Sequence, residues 1–140
     1  MNGRPDRSGP FWDGIEGRAP VPPAAATLGF QFISADAENG TIELAFEATE
    51  AFTNPMGNVL GAFLAAMLYD TVGPALLATL NADQFQSTLD LNVRFLRPVR
   101  PGRIVGKGRV VHRQAESPTS KPPSATRTRE RSLSRLRRPK

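Results

Sequence analysis

The sequence predicts an α+β fold in which an antiparallel sheet wraps around one long helix. Three observations carry this. Residues 54–80, NPMGNVLGAFLAAMLYDTVGPALLATL, open as a Pro/Gly loop and continue as an apolar run whose only ionisable groups from Val59 to Leu80 are Tyr69 and Asp70. Thr41–Ala48 and Ser87–Arg97 alternate apolar and polar residues with period two, the mark of half-buried strands. Asn39-Gly40, between two apolar runs, is a strong hairpin signal.

The apolar run comes first, because two architectures could accommodate it. As a helix, Val59–Leu80 would be roughly 33 Å long, enough to span a bilayer. A helix enclosed by a sheet is also apolar on nearly all sides. Asp70 at mid-bilayer would cost about 2.5–3.5 kcal/mol. Gly73-Pro74 would break a lipid-exposed helix, and the flanks lack the Lys/Arg and Trp/Tyr anchors of a span. A buried helix is therefore expected.

Composition narrows the function classes. At 140 residues the chain is one domain, with no cysteine for a disulfide, a thiolate nucleophile or a cysteine metal site. One histidine, His112, cannot build a histidine metal cluster. MNGRPDRSGPFWDG has no apolar signal core, so a cytoplasmic location is expected. The net charge of +5 divides unevenly: residues 114–140 carry +6 and residues 1–113 carry −1.

Residues 1–24 read as a flexible lead-in, with a short helical turn possible over 10–17 and Phe11-Trp12 covering an edge of the core. Residues 25–113 form the folded domain. Leu28–Ala35 is a strand, Thr41–Ala48 places Ile42, Leu44 and Phe46 on one face, and Asn81-Ala82-Asp83 ends the helix. In Ser87–Arg97, Leu89, Leu91, Val93 and Phe95 share a face. Arg103–Arg113 makes a further strand, its Gly106 and Gly108 placed where a helix could approach closely. Residues 114–140 offer too few apolar groups to offset their ordering entropy and should be a disordered basic tail.

NPMGNVLGAFLAAML followed by STLDLNVRFLRPVRPGRIVGKGRVVHR resembles the hot-dog fold acyl-CoA thioesterases of the phenylacetate-degradation (PaaI-like) type, over about residues 25–113. The resemblance implies a curved sheet around one helix, assembled as a homodimer or homotetramer. It also implies attack of water on an acyl thioester without metal or added cofactor, coenzyme A being part of the substrate. On the matching positions, Gly61 supplies the backbone N–H that polarises the carbonyl, Asn54 holds the loop, and an acid on the facing subunit's helix activates the water. Thr88 falls where some members place a hydroxyl near that water. Arg97 and Arg100 are candidates to meet the coenzyme A phosphates.

This sequence departs from the pattern. Leu60 and Ala62 replace the motif's His and second Gly, and the acid position falls on Tyr69, with Asp70 one residue, or about 100°, further round the helix. Either Asp70 substitutes for the acid or it is a structural carboxylate. Asn54 is either a site residue or a loop cap, and Gly61 either a donor or a packing glycine. The family's last apolar strands have no counterpart in the tail. In GC-rich codons the tail's bases can also be read two positions later as the alternating string GGIAYLEAALRDAD, so a shifted frame would explain its composition. The expected sheet thus lacks its last strands and has an exposed edge. The alternatives to a thioesterase, active or disabled by that truncation, are a non-catalytic acyl-CoA binder and a nucleic-acid binder acting through the arginines. The tail's lack of aromatic residues argues against nucleic acid.

Overall fold

In the computed structural model, residues 7–80, 86, 88, 90–115 and 128–139 are described, with the backbone alone for 112–115 and 128–135. The elements are α1 (Pro10–Ile15), α2 (Pro23–Thr27), β1 (Gln31–Asp36), β2 (Thr41–Ala48), a 3₁₀ turn (Glu50–Phe52), α3 (Gly61–Leu77), β3 (Gly102–Ala115) and β4 (Thr128–Arg137). The four strands form one antiparallel sheet in the order β1-β2-β3-β4, and α3 packs across β2, β3 and β4. Among the described residues no helix is long and apolar enough to cross a membrane.

β2 sits where its alternation places it. Ile42, Leu44, Phe46 and Ala48 are buried on the face turned to α3, and eight uninterrupted pairs from Thr41↔Arg109 to Ala48↔Gly102 fix its register with β3. That register sets Gly108 opposite Ile42 and Gly106 opposite Leu44. The two glycines leave a shallow channel in the sheet, and the fully buried Thr71 of α3 occupies it. A Cβ on Gly106 would lie 2.5 Å from Thr71 Oγ1, and one on Gly108 3.1 Å from Thr71 Cγ2. The Thr71 hydroxyl donates to the Met67 carbonyl at 2.7 Å, so no polar atom is left unpaired at this contact. The close approach expected at Gly106 and Gly108 is thus made by this one helical turn.

α3 is shorter than the apolar run, beginning at Gly61 and ending at Leu77. It passes through Pro74, whose missing N–H removes the usual donor to the Asp70 carbonyl. The expected stop at Asn81–Asp83 lies outside the described residues. At the other end of the chain, Trp12 (3% exposed) and Phe11 pack edge-to-face with each other at 5.0 Å and with Phe32 of edge strand β1 at 5.9 and 6.5 Å. Of the expected lead-in, α1 thus packs on β1 through Phe11 and Trp12, while 20–24 are exposed and residues 1–6 lie outside the described residues. The β1–β2 connection has four residues, because the Asp36 carboxylate accepts from the Glu38 and Asn39 N–H groups before Gly40 turns at φ 63°.

Two expectations are corrected. The segment 87–97 forms no strand among its described residues: positions 90–100 lie outside the ladder, tied to the body by the Val59 N–H donating to the Val99 carbonyl at 2.8 Å. Alternation specifies which face is to be buried and supplies no partner; Leu91 and Phe95 remain exposed. The tail is not wholly disordered, since Thr128–Arg137 pairs with β3 from Val105↔Arg137 to Ala115↔Thr128. The ladder needs backbone groups, not apolar side chains, and Leu136 still reaches the core while Arg137 meets Glu43 at 3.3 Å. Residues 116–127, also expected to be disordered, lie outside the described residues.

Gly106→Ala is expected to destabilise the fold by about 1–3 kcal/mol in urea unfolding, as overpacking does. Adding Thr71→Ala should recover part of that loss, because the clashing Oγ1 and Cγ2 are gone. Strict additivity of the two changes would show that the helix does not rest on β3 at this point.

Candidate active site

The site is built by the loop that leads into α3. Thr53 and Val59 bridge, and the Asn54 N–H donates to the Asn58 carbonyl at 2.8 Å. The Asn54 side-chain oxygen accepts from the N–H groups of Met56 (3.0 Å) and Asn58 (3.1 Å), while Gly57 turns at φ 76°. Asn54 therefore holds the loop from inside. The Leu60 N–H then donates to the Phe52 carbonyl at 2.7 Å, and Phe52 stacks on Phe63 at 4.2 Å. These contacts fix where α3 starts.

No side chain caps that start. Leu60 occupies the N-cap, and its carbonyl accepts from Phe63 and Leu64. The N–H groups of Gly61 and Ala62 have no hydrogen-bond partner among the described residues, as the first-turn donors of an uncapped helix do not. They lie at the positive end of the helix dipole. A cleft of about 430 Å³ opens beside them, lined by Asn54, Asn58, Gly61, Leu64, Phe95 and Arg97 among others. Such an arrangement can hold a carbonyl oxygen that gains negative charge.

The structure brings Asn54, Gly61 and Arg97 to this cleft. It sets Arg100 beside the same loop, Nη1 lying 3.3 Å from where a Gly57 Cβ would be. It does not bring Asp70 or Thr88 there. Asp70 is nine residues beyond Gly61, about 13.5 Å along the axis and half a turn round. Thr88 is exposed and does not line the cleft. Asn58 lines it although it reads as an ordinary loop residue by sequence; Phe95, whose apolar ring is compatible with an aromatic or medium-chain acyl group, lines it from a segment that reads as a strand.

Among the described residues Asp70 is the carboxylate whose pKa burial raises, from the ordinary 3.8 up to about 6, and its buried Oδ2 has no hydrogen-bond partner among them. Tyr69, at the position the motif gives to the acid, is 44% exposed. Among the described residues no three His, Cys, Asp or Glu side chains are grouped as metal ligands would be.

The sequence profile of the thioesterase superfamily matches residues 56–117, from the loop through α3 and β3. A phenylacetic acid degradation-related protein of Ralstonia eutropha, described as a candidate thioesterase, is 35% identical. Its structure superposes with a TM-score of 0.80, over 91% of this chain and 88% of that one. The chain belongs to the thioesterase superfamily. Two more distant structures share the fold of this thioesterase: a conserved protein of Pseudomonas aeruginosa and the Escherichia coli PaaI protein of the phenylacetic acid degradation operon. The first is 19% identical with a TM-score of 0.66, over 84% of this chain and 83% of that one. The second is 19% identical with a TM-score of 0.62, over 73% and 71%. No curated protein matches by sequence. The four-stranded antiparallel sheet and single long helix are the hot-dog architecture, and superfamily membership makes the chain a thioester hydrolase in general terms.

Two changes test the site's construction. The folded protein holds the Asp70 proton more tightly than the unfolded chain, so ionising Asp70 costs stability progressively from pH 3.8 through about 6 and fully above that. Asp70→Asn should therefore raise the melting temperature relative to the parent at pH 8 more than at pH 4. Asn54→Ala removes the acceptor of two loop N–H groups and should cost about 1 kcal/mol in unfolding experiments, whereas Asn54→Asp retains most of it.

Proposed function

We propose that the protein hydrolyses acyl-CoA thioesters to a carboxylic acid and free coenzyme A. The observation that carries this reading is the pair of N–H groups at Gly61 and Ala62, unpartnered among the described residues, with Gly61 lining a cleft in a thioesterase-superfamily chain. Water attacks the thioester carbon, and the carbonyl oxygen takes the negative charge against those two donors. Collapse of the tetrahedral intermediate expels the coenzyme A thiolate, which takes up a proton.

Asp70 is the group proposed to receive the proton of the attacking water. A carboxylate whose pKa is near 6 is ionised at neutral pH and still basic enough to act. Since Asp70 and Gly61 of one chain are half a turn and about 13.5 Å apart, the acid at each cleft would come from a second copy. A homodimer or homotetramer is therefore part of the proposal. Thr88 would join the water from that assembly, Asn54 keeps the loop in shape, and Arg97 and Arg100 meet the phosphates of coenzyme A. No metal or further cofactor is invoked, and the proposed setting is the cytoplasm.

Release of free thiol from a panel of acyl-CoAs tests this. Turnover is expected, with kcat falling about 10²- to 10⁴-fold in Asp70→Asn, the usual worth of general base catalysis. Absence of turnover with every acyl-CoA would contradict the proposal. A second reading, an acyl-CoA binder without chemistry, is favoured by Tyr69 standing exposed at the motif's acid position. Calorimetric binding of an acyl-CoA that is recovered intact would decide for it.

A further inference from the structure

We infer that Phe95 sets the acyl specificity of the cleft, admitting thioesters with an unbranched α-carbon and rejecting α-branched ones. This rests on the thioesterase reading above. The Cζ, Cε2 and Cε1 atoms of Phe95 lie 3.1, 3.4 and 3.6 Å from where a Cβ on Gly61 would be. The ring therefore stands in van der Waals contact with the first residue of α3. A helical Cβ direction tilts toward the N-terminus, the same end as the unpartnered N–H groups. The ring consequently flanks the donors instead of covering a remote part of the helix.

Contact distances then limit the acyl group. A carbonyl oxygen accepting from the Gly61 N–H lies about 2.9 Å from that nitrogen, and its carbon about 1.2 Å further on. The α-carbon of that acyl group would follow beside the Phe95 ring, in the cleft that Asn54, Val59 and Leu64 also line. A methylene passes there. A methyl branch adds a full carbon group toward a ring edge that already touches the helix. Yielding to it is not free, because the segment bearing Phe95 is held by Pro98 and by the Val99 carbonyl accepting from Val59. The ring is 55% exposed and lines the cleft, so it stands at the cleft surface and not in the core.

The full-length protein, its Phe95→Ala variant and its Phe95→Leu variant are compared on hexanoyl-CoA and 2-methylhexanoyl-CoA. The parent is expected to prefer the straight chain by about 10- to 200-fold in kcat/KM, the range one methylene in a tight pocket can produce. Phe95→Ala should lower that ratio at least tenfold, and Phe95→Leu should fall between. Should Phe95→Ala fail to fold, Phe95→Leu carries the comparison. A parent ratio near one, or a ratio that the available variants leave unchanged, overturns the assignment of Phe95 while leaving the hydrolase reading intact. If the parent cleaves neither substrate while another acyl-CoA of the panel turns over, the specificity assignment falls and the hydrolase reading stands; if no acyl-CoA turns over, both fall.

Discussion

The missing side chains of Gly106 and Gly108 are the constraint from which the remaining geometry follows. They let one turn of α3 sink into β3 through Thr71, closer than any residue with a Cβ would allow. Once Thr71 is seated, the rotation of the helix is fixed. Leu64, Met67, Ala75 and Leu76 turn into buried positions, while Tyr69 turns out to solvent. Asp70, next to Thr71, is carried half into the protein because its neighbour is carried fully in. The raised pKa of that carboxylate is thus a consequence of packing between apolar and small residues, with no charged partner involved.

The contacts of Leu60 with Phe52 and of Phe52 with Phe63 decide where the helix begins. Its uncapped first turn faces the loop organised by Asn54, and the helix gains nothing in local stability from leaving Gly61 and Ala62 unpartnered. An Asn, Asp, Ser or Thr at position 60 would accept from the Ala62 or Phe63 N–H at a gain of about 0.5–2 kcal/mol. Leu60 leaves both donors to whatever enters the cleft. In the proposed function that open turn exchanges local stability for a place to receive the acyl carbonyl. Asp70 lies about half a turn round α3 from Gly61, which is why the proposal takes the acid from a second copy.

Much of this was legible in the residues. The alternation of Thr41–Ala48 gave its strand to the residue, because both faces of β2 are decided by burial alone. The close approach at Gly106 and Gly108 was readable, because only a near neighbour explains two glycines at one spacing in a strand. The apolar run marked the helix but not its ends, since Leu77 and Leu80 have the same composition as the residues before them. Ser87–Arg97 and the tail misled for complementary reasons. The first has strand chemistry and no neighbour to pair with, and the second has little strand chemistry yet lies along the free edge of a fourteen-residue strand. Its arginines suit an edge, where charge discourages pairing with further chains. Phe95 could not have been placed at Gly61, because that contact joins segments 34 residues apart without a ladder to fix their register.

The open first turn of α3 is proposed to receive the acyl carbonyl. A crystal structure with a ketone analogue of hexanoyl-CoA, in which a methylene replaces the thioester sulfur, tests this. The carbonyl oxygen is expected about 2.7–3.1 Å from the Gly61 or Ala62 nitrogen. An analogue bound with its carbonyl away from both nitrogens would contradict it.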